Sequence, residues 1–152
     1  MKNPVIICLP VLLAGCAALP GSVPADAVAI IPTGTQATIA LLETTDLHGN
    51  VVSYDYYKLA PEPSLGLERT ATLIAQARAQ YPNNVLLDNG DTIQGTALSD
   101  YQAVAQPLGC GETLAIYKAF NALGYDGAGV GNHDFNYGLA YLNQVSGSRF
   151  DV

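Results

Sequence analysis

Five polar residues in three short stretches of the chain carry the side chains that metal-assisted chemistry requires. They are Asp46 and His48, then Asp91, then the adjacent pair Asn132 and His133. Residues two apart on an extended backbone point to the same side, so we expect the Asp46 carboxylate and the His48 imidazole to share one face. Carboxylate, imidazole and amide ligands suit divalent Mn, Zn, Co or Fe. The spacing therefore indicates half of a metal site, which the other three residues could complete.

Each of the remaining side chains fits one role in such a site. A ligand that bridges two cations must be anionic and have two oxygens, which Asp91 offers. The neutral amide oxygen of Asn132 can complete a second cation's shell without adding charge. His133 can donate to a phosphate oxygen or protonate a leaving group. The set therefore predicts a two-metal site for phosphoryl transfer, a reaction that depends mainly on positioning and electrostatics.

Each residue also has a purely structural explanation. These are a turn cap for Asp46, an Asx-type turn around Gly90 for Asp88 and Asp91, a left-handed loop conformation for Asn132, and a hydrogen-bonded core position for His133. For Asp88, which falls within a predicted strand, we adopt the turn explanation. For the others, three polar motifs at three consecutive strand ends favour a shared site.

Three apolar segments precede the motifs, and each is predicted to be a strand. They are residues 37–44, the run beginning at Val85, which we expect to be buried on both faces, and residues 125–130. Residues 65–81, 112–122 and 139–145 are predicted helices. The order β-α-β-α-β-α predicts an α/β fold with a mostly parallel sheet. The carboxyl ends of its strands, where α/β proteins bind ligands, would carry all the motifs.

Composition limits the class of ligand. The 152 residues are 49% hydrophobic, and six Lys+Arg against thirteen Asp+Glu give a net charge of -7. The hydrophobic residues are sufficient to form one hydrophobic core. The negative net charge argues against binding of a nucleic-acid polymer. A small phosphate ester could still bind if metal ions supply positive charge locally. We expect the protein to be a monomer that acts on a small molecule of this kind.

The N-terminus is predicted to be a secretory signal over residues 1–15, with Lys2 ahead of a short apolar run. Its ending resembles a bacterial lipobox, which would make Cys16 a lipid anchor and the only membrane contact. The alternative is ordinary cleavage after Ala18, Ala25 or Ala27. Residues 16–36 are predicted to be a flexible tether. Either way the protein is expected to be exported to the periplasm or cell envelope, with Cys110 as a structural thiol.

The motifs resemble those of a known family. Asp46-Leu47-His48, Asn89-Gly90-Asp91 and Gly131-Asn132-His133-Asp134 are similar to the first three metal motifs of the calcineurin-like metallophosphoesterases. The longer strings at residues 43–48, 54–58, 66–71 and 131–138 resemble, within the 5′-nucleotidase family, the bacterial periplasmic branch that acts as 2′,3′-cyclic-nucleotide 2′-phosphodiesterase/3′-nucleotidase. The likeness covers about residues 37–152.

The resemblance implies a role for each residue and two divalent metal ions, of unspecified identity. Asp46 and His48 would bind the first ion, Asp91 would bridge, Asn132 would bind the second, and His133 would be the catalytic histidine. In ordinary 5′-nucleotidases an Asp three residues after that His orients it. This sequence has Asn136 there, as in the cyclic-phosphodiesterase branch, and we ask whether Asp134 partly substitutes.

Residues 149–152 are predicted to begin another strand, which indicates a domain that is cut short. The resemblance implies that residues 37–152 are the N-terminal, incomplete part of a metallophosphoesterase α/β sandwich. The family's other metal ligands are histidines in later motifs, so we expect the isolated chain to be inactive. The activity expected of the complete protein is hydrolysis of 2′,3′-cyclic nucleotides and 3′-nucleotides. The alternatives are a 5′-nucleotidase or nucleotide-sugar hydrolase, which Asn136 disfavours, and a non-catalytic lipoprotein scaffold.

Overall fold

The structure is a computed structural model that describes residues 32–109 and 111–146. The predicted signal segment, Cys16, most of the tether, Cys110 and the segment at residues 149–152 lie outside the described residues, so the predictions made for them stay predictions. Backbone contacts divide the chain into Met1–Gln36 and Ala37–Val152. Within the described ranges, no helix has the length and apolarity needed to cross a membrane.

The second unit alternates strands and helices, as the sequence predicts. Its strands are β1 (Ala40–Thr44), β2 (Tyr54–Asp55), β3 (Ala60–Pro61), β4 (Asn84–Asp88) and β5 (Gly127–Ala128). Its α-helices are α1 (Leu67–Gln80), α2 (Ala97–Asp100), α3 (Ala115–Leu123) and α4 (Leu139–Ser146). A π-helical turn, Tyr101–Ala105, follows α2, and a 3-10 helix, Asn132–Phe135, precedes α4.

The main sheet has the order β1-β4-β5, and both pairings are parallel. The predicted α/β class with a parallel sheet is confirmed, and all three motifs follow the carboxyl ends of these strands. Two regions contain short elements beyond the strands and helices predicted above. The tyrosine-rich stretch after β1 forms the antiparallel hairpin β2–β3, and the segment after β4 contains α2 and the π-helical turn.

The hydrophobic core lies against one face of the sheet. Leu86 of β4 is buried together with Leu67 of α1 and Phe120 of α3. Phe120 stacks on Tyr125 with ring centroids 4.0 Å apart. The Arg78 guanidinium of α1 donates to carbonyl oxygens at the end of α3, which ties the two helices together.

The other face of β4 differs from the prediction. Leu86 is 1% exposed, whereas Val85 is 37% and Leu87 36% exposed. The strand is therefore buried on one face and not on both. The physical reason is that the buried side chains of α1 and α3 belong to the same core cluster as Leu86, so the described helices cover only the face that this residue occupies.

Candidate metal centre

Three predicted ligands meet at the carboxyl edge of the sheet. One ligand atom from each of Asp46, His48 and Asp91 lies within 4.8 Å of the others. The Nε2 atom of His48 is 3.7 Å from Oδ1 of Asp46. In the part of the chain that the structure describes, no other group of three His, Cys, Asp or Glu side chains has this spacing. The predicted convergence of these three residues is therefore present in the fold.

The route by which Asp46 and His48 converge differs from the prediction. We expected an extended backbone, but Asp46 has φ 54° and His48 has φ 49°, both in the left-handed region. A turn after β1 brings them together instead. The Asp46 N–H donates to Gly90 O at 3.1 Å and the His48 N–H donates to Asp91 O at 2.9 Å. The loops after β1 and β4 therefore run side by side, joined through their backbones.

Backbone strain is concentrated at this cluster. Asp91 also has a positive φ, 56°, and the remaining non-glycine residue of this kind among the described residues is Leu59. Such conformations are uncommon for residues with a Cβ and persist only where the surroundings hold them. Strain of this kind occurs at ligand-binding sites, and here it coincides with the three candidate ligands.

His48 is held in the ring form that a metal ligand needs. Its Nδ1 lies 2.7 Å from the carbonyl oxygen of Gln94. A carbonyl can only accept, so Nδ1 carries the hydrogen and Nε2 keeps its lone pair on the side of Asp46. Gln94 contributes through its backbone, and for this reason its side-chain identity gave no sequence signal.

Asp91 is approached closely by the loop that carries His133. The backbone N–H of His133 donates to Asp91 Oδ1 at 2.7 Å. A Cβ on Gly131 would lie 2.3 Å from the same oxygen, and a Cβ on Gly90, which has φ 99°, would lie 2.3 Å from Gly131 N. Only glycines allow the two loops to approach so closely. The approach brings the second and third motifs together.

The buried carboxylate of Asp134 stabilises the close contact between these two loops. Asp134 is 1% exposed, and its carboxylate accepts four backbone N–H groups at 2.8–2.9 Å, from Asp91, Thr92, Ile93 and Gly131. These bonds occupy both oxygens, so the carboxylate does not orient His133. Its structural role was not visible in the sequence, where it is simply the residue after the candidate histidine.

The Asn136 side chain forms a hydrogen bond with the His133 ring. Its Nδ2 lies 3.0 Å from His133 Nδ1. With the amide donating, Nδ1 accepts and the ring hydrogen lies on Nε2. The His133 ring meets the His48 ring edge-on, with centroids 5.1 Å apart. Asn132 is exposed at the start of the same 3-10 helix, and its role as a ligand stays a prediction.

Asp88 has the structural role assigned to it from the sequence. It is 2% exposed, accepts the Gly90 N–H at 3.1 Å and receives the hydroxyls of Thr44 and Thr92. Burial is the largest effect on its ionisation, and it raises the pKa of the Asp88 carboxyl despite these hydrogen bonds. The turn explanation is confirmed.

The cluster of three residues fits a divalent transition-metal ion. Ligand atoms bind such ions at about 2.0–2.2 Å, so two ligands of one ion lie up to roughly 4.4 Å apart. The observed separations, within 4.8 Å, need only a small contraction. Two carboxylates and one imidazole with a free Nε2 also match the ligand types that Mn, Zn, Co and Fe accept.

Comparison of the chain with models of known protein families finds no match. Individual proteins are similar. A 2′,3′-cyclic-nucleotide 2′-phosphodiesterase/3′-nucleotidase of Yersinia enterocolitica is 52% identical over 121 residues, covering 78% of this chain and 18% of that protein. A protein of the same name from Salmonella typhimurium is 50% identical over 113 residues, covering 74% of this chain and 17% of that protein.

A solved structure is similar as well. The calcineurin-like phosphoesterase YfkN from Bacillus subtilis superposes with a TM-score of 0.68 at 43% identity, covering 74% of this chain and 35% of that one. The chain spans less than a fifth of the length of the two relatives from Yersinia and Salmonella. The family resemblance read from the three motifs is confirmed.

Proposed function

Because the chain belongs to the calcineurin-like phosphoesterases, we propose that it supplies part of the metal centre of an enzyme that hydrolyses 2′,3′-cyclic nucleotides and 3′-nucleotides. The observation that carries the proposal is the cluster of Asp46, His48 and Asp91 ligand atoms within 4.8 Å. The names of the two relatives and the presence of Asn136 support the proposed substrate class. The complete protein would have the activity, and the 152 residues alone would have none.

In this proposal the chain's own residues hold and orient the reactants. Asp46 and His48 would hold one cation, Asp91 would lie between two, and Asn132 would complete the second. Two bound divalent cations would supply positive charge to the phosphoryl group and an activated water. The Gln94 carbonyl keeps His48 Nε2 free for its ligand role, and the His133 N–H fixes which way the Asp91 carboxylate faces.

His133 would act through Nε2. With Asn136 bonded to Nδ1, the ring hydrogen lies on Nε2, where it can be donated to a phosphate oxygen or a leaving oxygen. Asn136 is neutral and stabilises a charged imidazole less than a carboxylate would. This difference supports assignment to the cyclic-nucleotide branch over the 5′-nucleotidases.

The test needs the whole coding frame. The gene is read past Val152, the complete protein is expressed, and its hydrolysis of 2′,3′-cyclic AMP, 3′-AMP and 5′-AMP is compared in the presence of Mn²⁺. We expect preference for the first two and loss of turnover in Asp91→Asn. Preference for 5′-AMP would instead support the 5′-nucleotidase alternative. No hydrolysis of any of them, with metal bound, would support a non-catalytic scaffold.

Location forms a separate part of the proposal. We infer from the sequence that the protein is exported and lipidated at Cys16. Mass spectrometry of the membrane fraction from cells expressing the chain would detect the lipid, and Cys16→Ser would release the protein from the membrane. An unmodified mature N-terminus beginning after Ala18, Ala25 or Ala27 would contradict lipidation while leaving export intact.

A further inference from the structure

The segment from Gln94 to Asp100, after β4, is connected to both histidines of the site. It contacts His48 directly, and it is linked to His133 through Tyr137, the neighbour of Asn136. Gln94 accepts the hydrogen bond from His48 Nδ1 at 2.7 Å. Asp100, the last residue of α2, accepts hydrogen bonds from two tyrosines. The Tyr137 hydroxyl donates to its Oδ1 at 2.5 Å, and the Tyr57 hydroxyl donates to its Oδ2 at 3.3 Å. Each carboxylate oxygen therefore serves one hydroxyl.

Tyr137 belongs to the turn that orients His133. It follows Asn136, whose amide lies 3.0 Å from His133 Nδ1. Tyr137 is partly buried, and its ring packs edge-on against Tyr141 with centroids 5.4 Å apart. Burial first, and then Asp100, raise the pKa of the Tyr137 hydroxyl, so it remains protonated and able to donate at neutral pH.

Asp100 itself is fixed by the segment that contains Gln94. The Asp100 N–H donates to Thr96 O at 3.0 Å, and the Thr96 hydroxyl caps α2 by accepting the Ser99 N–H at 3.2 Å. Ser99 is buried. The position of the Asp100 carboxylate is therefore set by the same short piece of chain whose Gln94 carbonyl orients His48.

The hairpin β2–β3 provides a second and weaker partner for Asp100. Its tip is organised by Asp55, whose Oδ1 accepts the backbone N–H groups of Tyr57 and Lys58 at 2.9 and 3.0 Å. Tyr57 is 69% exposed and its bond to Asp100 is the longer of the two. Tyr137 is thus the partner through which Asp100 acts on the site.

We propose that Asp100 is a positioning residue, which sets the place of His133 relative to the metal ligands by holding Tyr137 and, with it, the turn that carries Asn136. The proposal rests on the proposed function only for the role given to His133. Without the acceptor, Asp46 and His48 would keep their places, because their backbone N–H groups donate to Gly90 O and Asp91 O and the His48 ring bonds Gln94 O, none of which involves Asp100. The His133 ring would lose its fixed position beside the His48 ring.

The test uses the fact that the chain has two histidines, both in this site. In the untagged, metal-free chain with labelled histidines, the NOE between the two imidazole rings reports their separation, 5.1 Å between centroids. Asp100→Ala and Tyr137→Phe should each weaken this NOE to about half or less, because the turn becomes mobile. Asp100→Asn keeps a carbonyl oxygen for Tyr137 and should retain most of the NOE.

Matched variants separate positioning from general damage. Tyr57→Phe removes the longer bond and should leave the NOE near the wild-type value. Tyr81→Phe removes a hydroxyl that contacts Gln80 and should change nothing at the histidines. An unchanged NOE in both Asp100→Ala and Tyr137→Phe would overturn the proposal. The proposal would also be overturned if these two variants disturbed the signals of His48 and of the core amides as much as those of His133, because that result would indicate a general structural role. Because no metal is added, a failure of metal binding would not affect this result.

Discussion

Replacing Asp46 by Asn should change the stability of the chain in opposite directions with and without metal. Ligand oxygens of Asp46 and Asp91 lie within 4.8 Å of each other, so the two carboxylates repel when no cation is bound. Coulomb's law at this separation gives about 1 to 3.5 kcal/mol for effective dielectric constants between about 80 and 20. The Asp46 side chain is 60% exposed, so the lower end of about 1 kcal/mol applies.

Asn suits this position in other respects. It is nearly isosteric with Asp and tolerates the left-handed conformation that φ 54° imposes at Asp46. In EDTA, Asp46→Asn should therefore melt higher than the wild type, by about 4 °C for a folded unit of this size. With a divalent cation at a hundred times its dissociation constant, the wild type should gain about 2.7 kcal/mol, or roughly 10 °C, and the variant should gain little.

Thermal unfolding followed by circular dichroism, in EDTA and in a Mn²⁺ or Zn²⁺ series, measures both effects. Asp126→Asn is the matched control, since the Asp126 carboxylate accepts the Leu86 N–H at 2.8 Å and is not in the cluster. This control should melt lower in EDTA and keep the full metal shift. If Asp46→Asn melts lower in EDTA and still shows the wild-type metal shift, repulsion between the Asp46 and Asp91 carboxylates does not destabilise the metal-free chain and Asp46 is not a metal ligand.

Three further predictions concern the supports of the site. Asp134→Asn should cost about 3 kcal/mol or more in urea unfolding, because an amide NH₂ would face backbone N–H donors; a loss below about 1 kcal/mol would contradict this. Gly131→Ala should abolish the metal-induced rise in melting temperature by displacing Asp91, whereas Gly109→Ala, whose added Cβ would lie 3.5 Å from Glu112 Oε2, should keep that rise. Burial raises the pKa of Asp88 above its usual 3.8, so the stability it contributes is present below about pH 4 and lost as the pH rises through the folded-state value. Asp88→Asn should therefore gain stability relative to wild type as the pH rises above about 4 in urea titrations, and a constant difference would refute this.

Much of the architecture could be predicted because it depends on local patterns. Periodicity predicted the strand that begins near Val85 and the helix at residues 112–122, which is observed as Ala115–Leu123. It also predicted the alternation of strands and helices along the chain. The burial of β4 on both faces was wrong because hydrophobicity alone does not say which face a helix covers. Val85 and Leu87 are as apolar as Leu86 and yet are partly exposed.

The sequence predicted which residues meet at the candidate site, but it did not predict the backbone conformation that brings them together. Asp46, His48 and Asp91 could be named from residue type and position after strands. Their left-handed backbone could not be named, since it depends on hydrogen bonds between loops more than 40 residues apart in the chain. Gln94 orients His48 through its backbone carbonyl, and Asp134 accepts hydrogen bonds from four backbone N–H groups. Backbone contacts of this kind cannot be inferred from residue type, so the sequence did not predict them.

If Asp46, His48 and Asp91 bind a divalent cation, the ring nitrogens of His48 should report the binding. In a ¹⁵N-histidine-labelled, untagged chain titrated with Zn²⁺, we expect the His48 Nε2 signal to shift to a metal-bound position while Nδ1 stays protonated against Gln94. The same titration of Asp91→Asn should show a much weaker change. A His48 Nε2 signal that is unmoved by excess Zn²⁺, or that moves equally in Asp91→Asn, would contradict the metal centre.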